Sequence, residues 1–196
     1  MNISAVLLAG GQSRRMGRDK ATILFRGKPL WQIQLDLLHK LQTAEIFVSA
    51  RTDPAWRSSD VTFVPDEPPS RGPLTGLTAT LARIRSNHLL VLAIDMPSMN
   101  EDHLRYLCEK MEPGRGVLPM ISNRAEPLAA IYPVEARVDF VNALSGADFS
   151  MQMLTNQLVK MGRLCAIRVS EEEQRFYRNL NEPDDLDDRP GSLIAL

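Results

Sequence analysis

Residues 3–20 read ISAVLLAGGQSRRMGRDK, and this stretch decides the fold. Its first six residues form an unbroken apolar-dominated run, the pattern of a strand covered on both faces rather than of a half-exposed one. The run stops at Gly10-Gly11 and passes into Arg14, Arg15, Arg18 and Lys20. A strand that ends in residues without Cβ atoms brings bare backbone N–H groups together with cations. Such a spot suits a polyphosphate, whose oxygens the amides approach closely while the cations neutralise their charge. The loop is neither a Walker A sequence, which ends Gly-Lys-Ser/Thr, nor the GxGxxG dinucleotide fingerprint. A plain glycine turn with a solvated basic loop is the competing reading. Cations crowded at a strand end favour an anionic partner over it.

Outward from this stretch, strand-like and helix-like segments alternate. Lys28-Pro29 introduces a helix with Leu30, Ile33, Leu37, Leu38 and Leu41 on one face, Pro29 fitting its first turn. Segments 45–50 and 61–65 read as strands, and Leu74, Leu77, Leu81 and Ile84 recur at helical spacing. The segment HLLVLAI, 88–94, is the most apolar in the chain and is expected to be the central strand. A helix carrying Leu104, Leu107, Cys108 and Met111 follows, then strands at 117–121 and 126–133 joined through 122–125. Two more helices are marked by Val138, Val141 and Leu144, then by Met151, Leu154, Leu158 and Met161. A strand at 164–169 closes the series. This alternation predicts an α/β fold, a three-layer sandwich on a mostly parallel, Rossmann-like sheet. In such sheets ligands lie beyond the carboxyl ends of the strands, near a topological switch point.

The 196 residues suffice for one well-buried core and are short for two ordinary domains. A formal net charge of −1 supplies no global basic field, so no nucleic acid or anionic membrane is expected as a partner. No apolar run approaches the roughly 20 residues that cross a bilayer, and 2–4 leads straight into a core strand rather than a charged leader. The expected setting is the cytoplasm. Cys108 and Cys165 stand far apart in apolar surroundings and read as buried reduced thiols, a disulfide between them being the less favoured alternative. His39, His88 and His103 do not cluster, which argues against zinc.

Two further polar elements, with the Gly10-Gly11 loop as a third, fall at predicted strand ends. Asp95 follows the central strand, with Pro97 stiffening the exit, and is placed to bind a hard cation such as magnesium through oxygen. Alone it could as well cap a turn. Opposite a cationic glycine loop, metal is favoured, because a metal–polyphosphate site needs both signs of charge. Asp66 follows the third strand and precedes RGPLTGL, 71–77, where Leu74 or Thr75 starts a helix. That helix N-terminus beside Asp66 could read a nucleobase edge or a ribose, or be an ordinary turn. Asn179 and Asn181, in RNLNEP, either cap a short helix at 184–186 or present amides to a heterocyclic second substrate.

In order along the chain, LAGGQSRRMGRDK, Asp66 with GPLTGL, Asp-Met-Pro at 95–97, EPLAAIY and NLNEPDDL resemble the molybdenum cofactor guanylyltransferases over residues 3 to about 187. The resemblance implies a single nucleotidyltransferase unit over 1–187, with a nucleotide-binding N-terminal half and an acceptor-binding C-terminal half. Residues 188–196 remain as a tail. It implies transfer of GMP from GTP to the terminal phosphate of molybdopterin, with release of pyrophosphate and use of Mg2+. Carried over residue by residue, the nucleotide falls on Leu8, Ala9, Gly10 and Gly11. Arg15 and Lys20 hold its phosphates, Asp66 its base or ribose side, and Asp95 the magnesium, while Asn179 and Asn181 face the pterin. Arg15, Lys20 and Asp95 are thus the expected catalytic residues. Transient contact with molybdoenzymes or their chaperones, and a monomer or weak homo-oligomer, complete the implied picture. One departure stands out: the family's asparagine at the second strand end is replaced by Ser49-Ala50-Arg51.

Two other functions compete. Cytidylyl or other nucleotidyl transfer, to molybdopterin or a sugar phosphate, is the nearer one. Resembling CTP enzymes read LAAG where this chain has Gly10-Gly11, and losing that methyl gives a purine more room. A non-catalytic nucleotide- or cofactor-binding protein is the other; Lys20 and Asp95 together speak against it.

Overall fold

The run Ile3–Leu8 forms strand β1, and all six residues are buried. The computed structural model describes residues 2–10, 19–66 and 69–180. After β1 come a short hairpin, β2 (Leu24–Phe25) and β3 (Lys28–Pro29), then α1 (Leu30–Lys40), β4 (Glu45–Ala50), β5 (Thr62–Pro65) and α2 (Pro73–Leu81). The chain continues through β6 (His88–Ala93), α3 (Glu101–Glu109), β7 (Gly116–Ile121), β8 (Arg124–Ala125) and β9 (Ile131–Pro133). It closes with α4 (Arg137–Ser145), α5 (Met151–Lys160), β10 (Leu164–Arg168) and a 3-10 turn at Glu173–Tyr177.

The main sheet has the order β10-β7-β9-β6-β1-β4-β5, with β8 paired to β7. The most apolar segment does become the middle strand, β6. Pairings β1–β4, β1–β6, β4–β5 and β7–β10 are parallel, whereas β8 and β9 run antiparallel to their neighbours. Because side chains alternate along a strand, β1 sends Ile3, Ala5 and Leu7 to one face and Val6 and Leu8 to the other. The first face packs on Leu30, Leu38 and Leu41 of α1 and on Leu104 and Leu107 of α3. The second packs on Leu74 and Leu77 of α2, Phe140 of α4 and Leu158 of α5. Each such fully buried side chain contributes about 1.5–3 kcal/mol. The result is the three-layer α/β sandwich expected. Its switch point lies at β1: the chain leaves β1 for β4 on one side and returns, after β5, to β6 on the other.

Several local expectations need correction. The segment 126–133 is not one strand. Residues 126–130 turn, with the Ala129 N–H on the Glu126 carbonyl, and Tyr132 Oη donates to the Pro127 carbonyl at 2.8 Å. Regular pairing begins only at Ile131, although the Ala130 and Leu128 carbonyls still accept from the Val91 and Ala93 N–H groups of β6. Residues 124–125 are a strand, not merely a connection. On α4 the expected face holds only at Leu144, which packs partly buried against the core: Val138 is 64% exposed and Val141 46%, and Phe140 is the buried residue. Pro29 flanks α1 as its N-cap rather than lying in its first turn. Cys165 is only half-buried, while burial pushes the Cys108 thiol up to about 11; neither forms a disulfide. The β2–β3 hairpin, two residues a side, is too short for a periodic signature. Its one signal is Arg26-Gly27, both with positive φ, as a two-residue hairpin turn requires. The tail at 188–196 and the helix expected at 184–186 lie outside the described residues.

Candidate active site

Backbone hydrogen bonds hold the carboxyl ends of β1, β4, β5 and β6 together. The Ala9 N–H donates to the Ser49 carbonyl at 2.9 Å, Asp66 N–H to Ala50 at 2.8 Å, and Ile94 N–H to Leu8 at 3.1 Å. Leu8 itself is buried against α2, so it ties strand ends together rather than offering a side chain. Gly10 leaves the edge without a positive φ. A Cβ there would stand 3.7 Å from Asp66 Oδ2 and from Ala50 Cα, in ordinary contact. The missing methyl therefore leaves open the space that Asp66 faces.

Asp66 is held by Ser70, whose hydroxyl donates to Oδ2 at 2.7 Å. Its other oxygen, Oδ1, is buried without a hydrogen-bond partner. An orphaned carboxylate oxygen is costly unless something donates to it. Beside it α2 begins at Pro73, after Gly72 with φ 66°, and the Arg71 N–H donates to Thr75 Oγ1. The helix N-terminus thus opens next to Asp66, as expected.

Lys20 starts a 3-10 turn capped by Asp19, whose Oδ1 accepts from the Ala21 N–H at 3.0 Å. This turn carries Lys20 Nζ to within 2.8 Å of Asp95 Oδ2, where it donates a hydrogen bond. Both side chains are about one-fifth exposed and so accessible to a ligand. The Asp95 carbonyl accepts from the Leu180 N–H at 2.9 Å, which brings exposed Asn179 to this edge. Gly10, Lys20, Asp66, Asp95 and Asn179 therefore gather at one end of the sheet. Gly11, Arg15 and Asn181 lie outside the described residues.

Ser49 does not take an asparagine's place toward a ligand. Its side chain is buried beneath α2, where a Cβ on Gly76 would run into Ser49 Oγ, and only its carbonyl serves the loop. A cavity beside Gly10 is lined by Ala9, Asp19, Ala50, Arg51, Thr52, Pro54 and Trp56. Trp56 stacks on Trp31 at 5.5 Å between ring centroids. Trp56 belongs to no periodic pattern, so nothing in the sequence marks it, and Arg51 stands out only as part of the departure at the second strand end. Glu126 is a further residue sequence reading left aside; burial raises its carboxyl above the usual range, against the pull of Arg124.

No group of three histidine, cysteine or carboxylate side chains among the described residues could hold a metal. Nor is any described helix long and apolar enough to cross a membrane.

This arrangement, a glycine-ended first strand with a lysine and two carboxylates at a sheet's switch point, defines a nucleotide-handling α/β protein. The model of the MobA-like NTP transferase domain matches residues 5–161. The "probable molybdenum cofactor guanylyltransferase" of Opitutus terrae is 35% identical over 94% of this chain and 93% of its own length. The molybdenum cofactor guanylyltransferase of Syntrophotalea carbinolica is 31% identical over 94% and 89%. A crystal structure of molybdopterin-guanine dinucleotide biosynthesis protein A from Archaeoglobus fulgidus superposes with a TM-score of 0.76. It is 24% identical and covers 93% of this chain and 94% of that one, a likeness of fold. The chain belongs to the MobA-like nucleotidyltransferases, on the branch of the molybdenum cofactor guanylyltransferases. It is a nucleotidyltransferase, and its family works with a divalent metal.

Proposed function

We propose that this chain transfers GMP from GTP to the terminal phosphate of molybdopterin in the cytoplasm, releasing pyrophosphate. The observation that carries the reading is the meeting of Gly10, Lys20, Asp66 and Asp95 at one sheet edge. The buried, unpartnered Asp66 Oδ1 favours a ligand with donors there, and guanine carries an N–H2 donor beside a ring N–H. The open face of Gly10 leaves room for a purine. On this reading residues 1–187 work as one unit, its N-terminal half on the nucleotide and the segment with Asn179 and Asn181 on the acceptor.

The reaction needs no general base, since an acceptor phosphate is already anionic at neutral pH. One of its oxygens forms a bond to the α-phosphorus. The bond from that phosphorus to the bridging oxygen breaks, and pyrophosphate leaves with the electron pair. The difficulty is to align two polyanions, so positioning and electrostatics carry the catalysis. Lys20 is placed to exchange Asp95 for phosphate oxygens, and Arg15 belongs to the same cationic loop. Asp95 would hold Mg2+, which when bound offsets charge on the phosphates. A single protein carboxylate suits that ion, because magnesium usually keeps water and phosphate oxygens as its remaining ligands.

The test is pyrophosphate release from each of the four nucleoside triphosphates, with and without molybdopterin, at varied magnesium. GTP with molybdopterin should be the productive pair. A preference for CTP would put cytidylyl transfer in its place, and nucleotide binding without release in any mixture would mark a binding protein.

A further inference from the structure

Between the body of the fold and Asn179 the chain passes through a buried polar clamp. His103, on α3, and Tyr177, at the end of the 3-10 turn, are 5% and 4% exposed. Their polar atoms, His103 Nε2 and Tyr177 Oη, lie 2.6 Å apart, across 74 residues of sequence. The two rings meet edge-on at 5.4 Å, and Phe176 packs against the same imidazole at 5.2 Å. Glu173 Oε1 lies 3.4 Å from His103 Nδ1, so a carboxylate faces the other ring nitrogen. α3 is itself capped at this residue, where the Asn100 side chain accepts from the His103 backbone N–H at 2.9 Å.

Three residues beyond Tyr177 is a second fixed point: Leu180, 4% exposed, donates its N–H to the Asp95 carbonyl. Only Arg178 and Asn179 lie between the clamps, and both are exposed. A three-residue span reaches at most about 10 Å, so anchoring both ends leaves Asn179 little freedom. A purely apolar pair could fill the same core volume. A hydrogen bond between two buried groups adds direction, since each is costly unless aligned with the other.

We propose that His103 and Tyr177 are positioning residues for the acceptor, their hydrogen bond setting residues 177–180, and with them Asn179, against Asp95. This rests on the proposed function for the identity of the acceptor, but not for the anchoring itself. The pair touches no reacting atom and acts through Asn179 and the Leu180–Asp95 contact.

The test is Tyr177→Phe, which removes the hydroxyl and keeps the ring. Hydrogen exchange at the Leu180 amide, measured without substrates, should quicken by about 2- to 10-fold, the range of one lost hydrogen bond. Amides of β6 should be unchanged. KM for molybdopterin should rise by a similar factor, with the calorimetric Kd for GTP unaltered. A variant that melts earlier but keeps Leu180 exchange and acceptor KM would show a merely structural pair and overturn the proposal. Faster exchange with an unchanged acceptor KM would overturn it too. Should Tyr177→Phe fail to fold, the double variant His103→Leu with Tyr177→Phe leaves no orphaned polar atom and takes the same readouts. Absence of GMP transfer by the unaltered protein would refute the functional reading, whereas the exchange measurement would still decide the anchor.

Discussion

Lys20 and Asp95 are 75 residues apart in sequence and 2.8 Å apart in space. Their ion pair is partly exposed, so it adds little to stability. On the proposed function, its value is to hold a cation and a carboxylate where phosphates and metal would be received. Lys20→Ala should therefore lower kcat/KM about 10²- to 10³-fold, the size of a lost charge-assisted donor. Thermal melting, followed in parallel, should move by no more than about 2 °C. Unchanged activity would remove Lys20 from the mechanism. Gly10 supports a second prediction. A Cβ there meets only ordinary contacts at 3.7 Å, so Gly10→Ala should fold normally. The added methyl narrows the space beside Asp66, and a methyl-sized change alters discrimination by about 1–3 kcal/mol. The kcat/KM ratio of GTP to CTP should fall tenfold or more. An equal fall for both nucleotides would place the base elsewhere.

At the scale of elements, α2 and β4 approach so closely that Gly76 has no room for a Cβ beside Ser49 Oγ. Gly76→Ala must push the helix off β4, the neighbour of the strand whose end carries the glycine loop. Overpacking of this kind costs about 1–3 kcal/mol, readable as a lower denaturant midpoint at constant m-value. Ser49→Ala in the same chain should recover part of the loss, because the hydroxyl is the nearer obstacle. Full additivity of the two changes would show that they do not meet. The same contact explains why Ser49 cannot offer an amide to a ligand: its side chain faces the helix. Element types were mostly legible in sequence, because continuous apolar runs and helical spacing are strong signals. Faces and boundaries were less so. Val138 and Val141 have helical spacing, but α4 rests on α2 and α5 through Phe140, and no periodicity says which stripe a neighbour covers. The turn at 126–130 is apolar enough to read as strand, and Pro127 with the Tyr132 hydroxyl turns it aside.

The whole molecule brings the far end of the chain to the first strand's edge. Asn179→Ala should raise KM for molybdopterin, a lost amide contact costing roughly 1–3 kcal/mol, while the Kd for GTP stays put. Saturation kinetics in the acceptor and calorimetry with GTP separate the two. An unchanged acceptor curve would take Asn179 out of the acceptor site. The sequence by itself determined the class of fold and the nature of the loop. Six buried residues running into glycine and then into cations admit few architectures, since each is a local statement about solvation and charge. It also singled out Asp66 and Asp95, because polar residues directly after apolar strands must lie at a sheet edge, and Lys20 as a cation of the loop that follows the first strand. Only the tertiary structure decided that Lys20 meets Asp95, that Asp66 keeps one buried oxygen without a partner, and that Ser49 turns beneath α2. The same holds for the clamp of His103 on Tyr177 that sets Asn179. These are contacts between residues distant in the chain, and they depend on strand order and helix packing. Local periodicity carries no information about either.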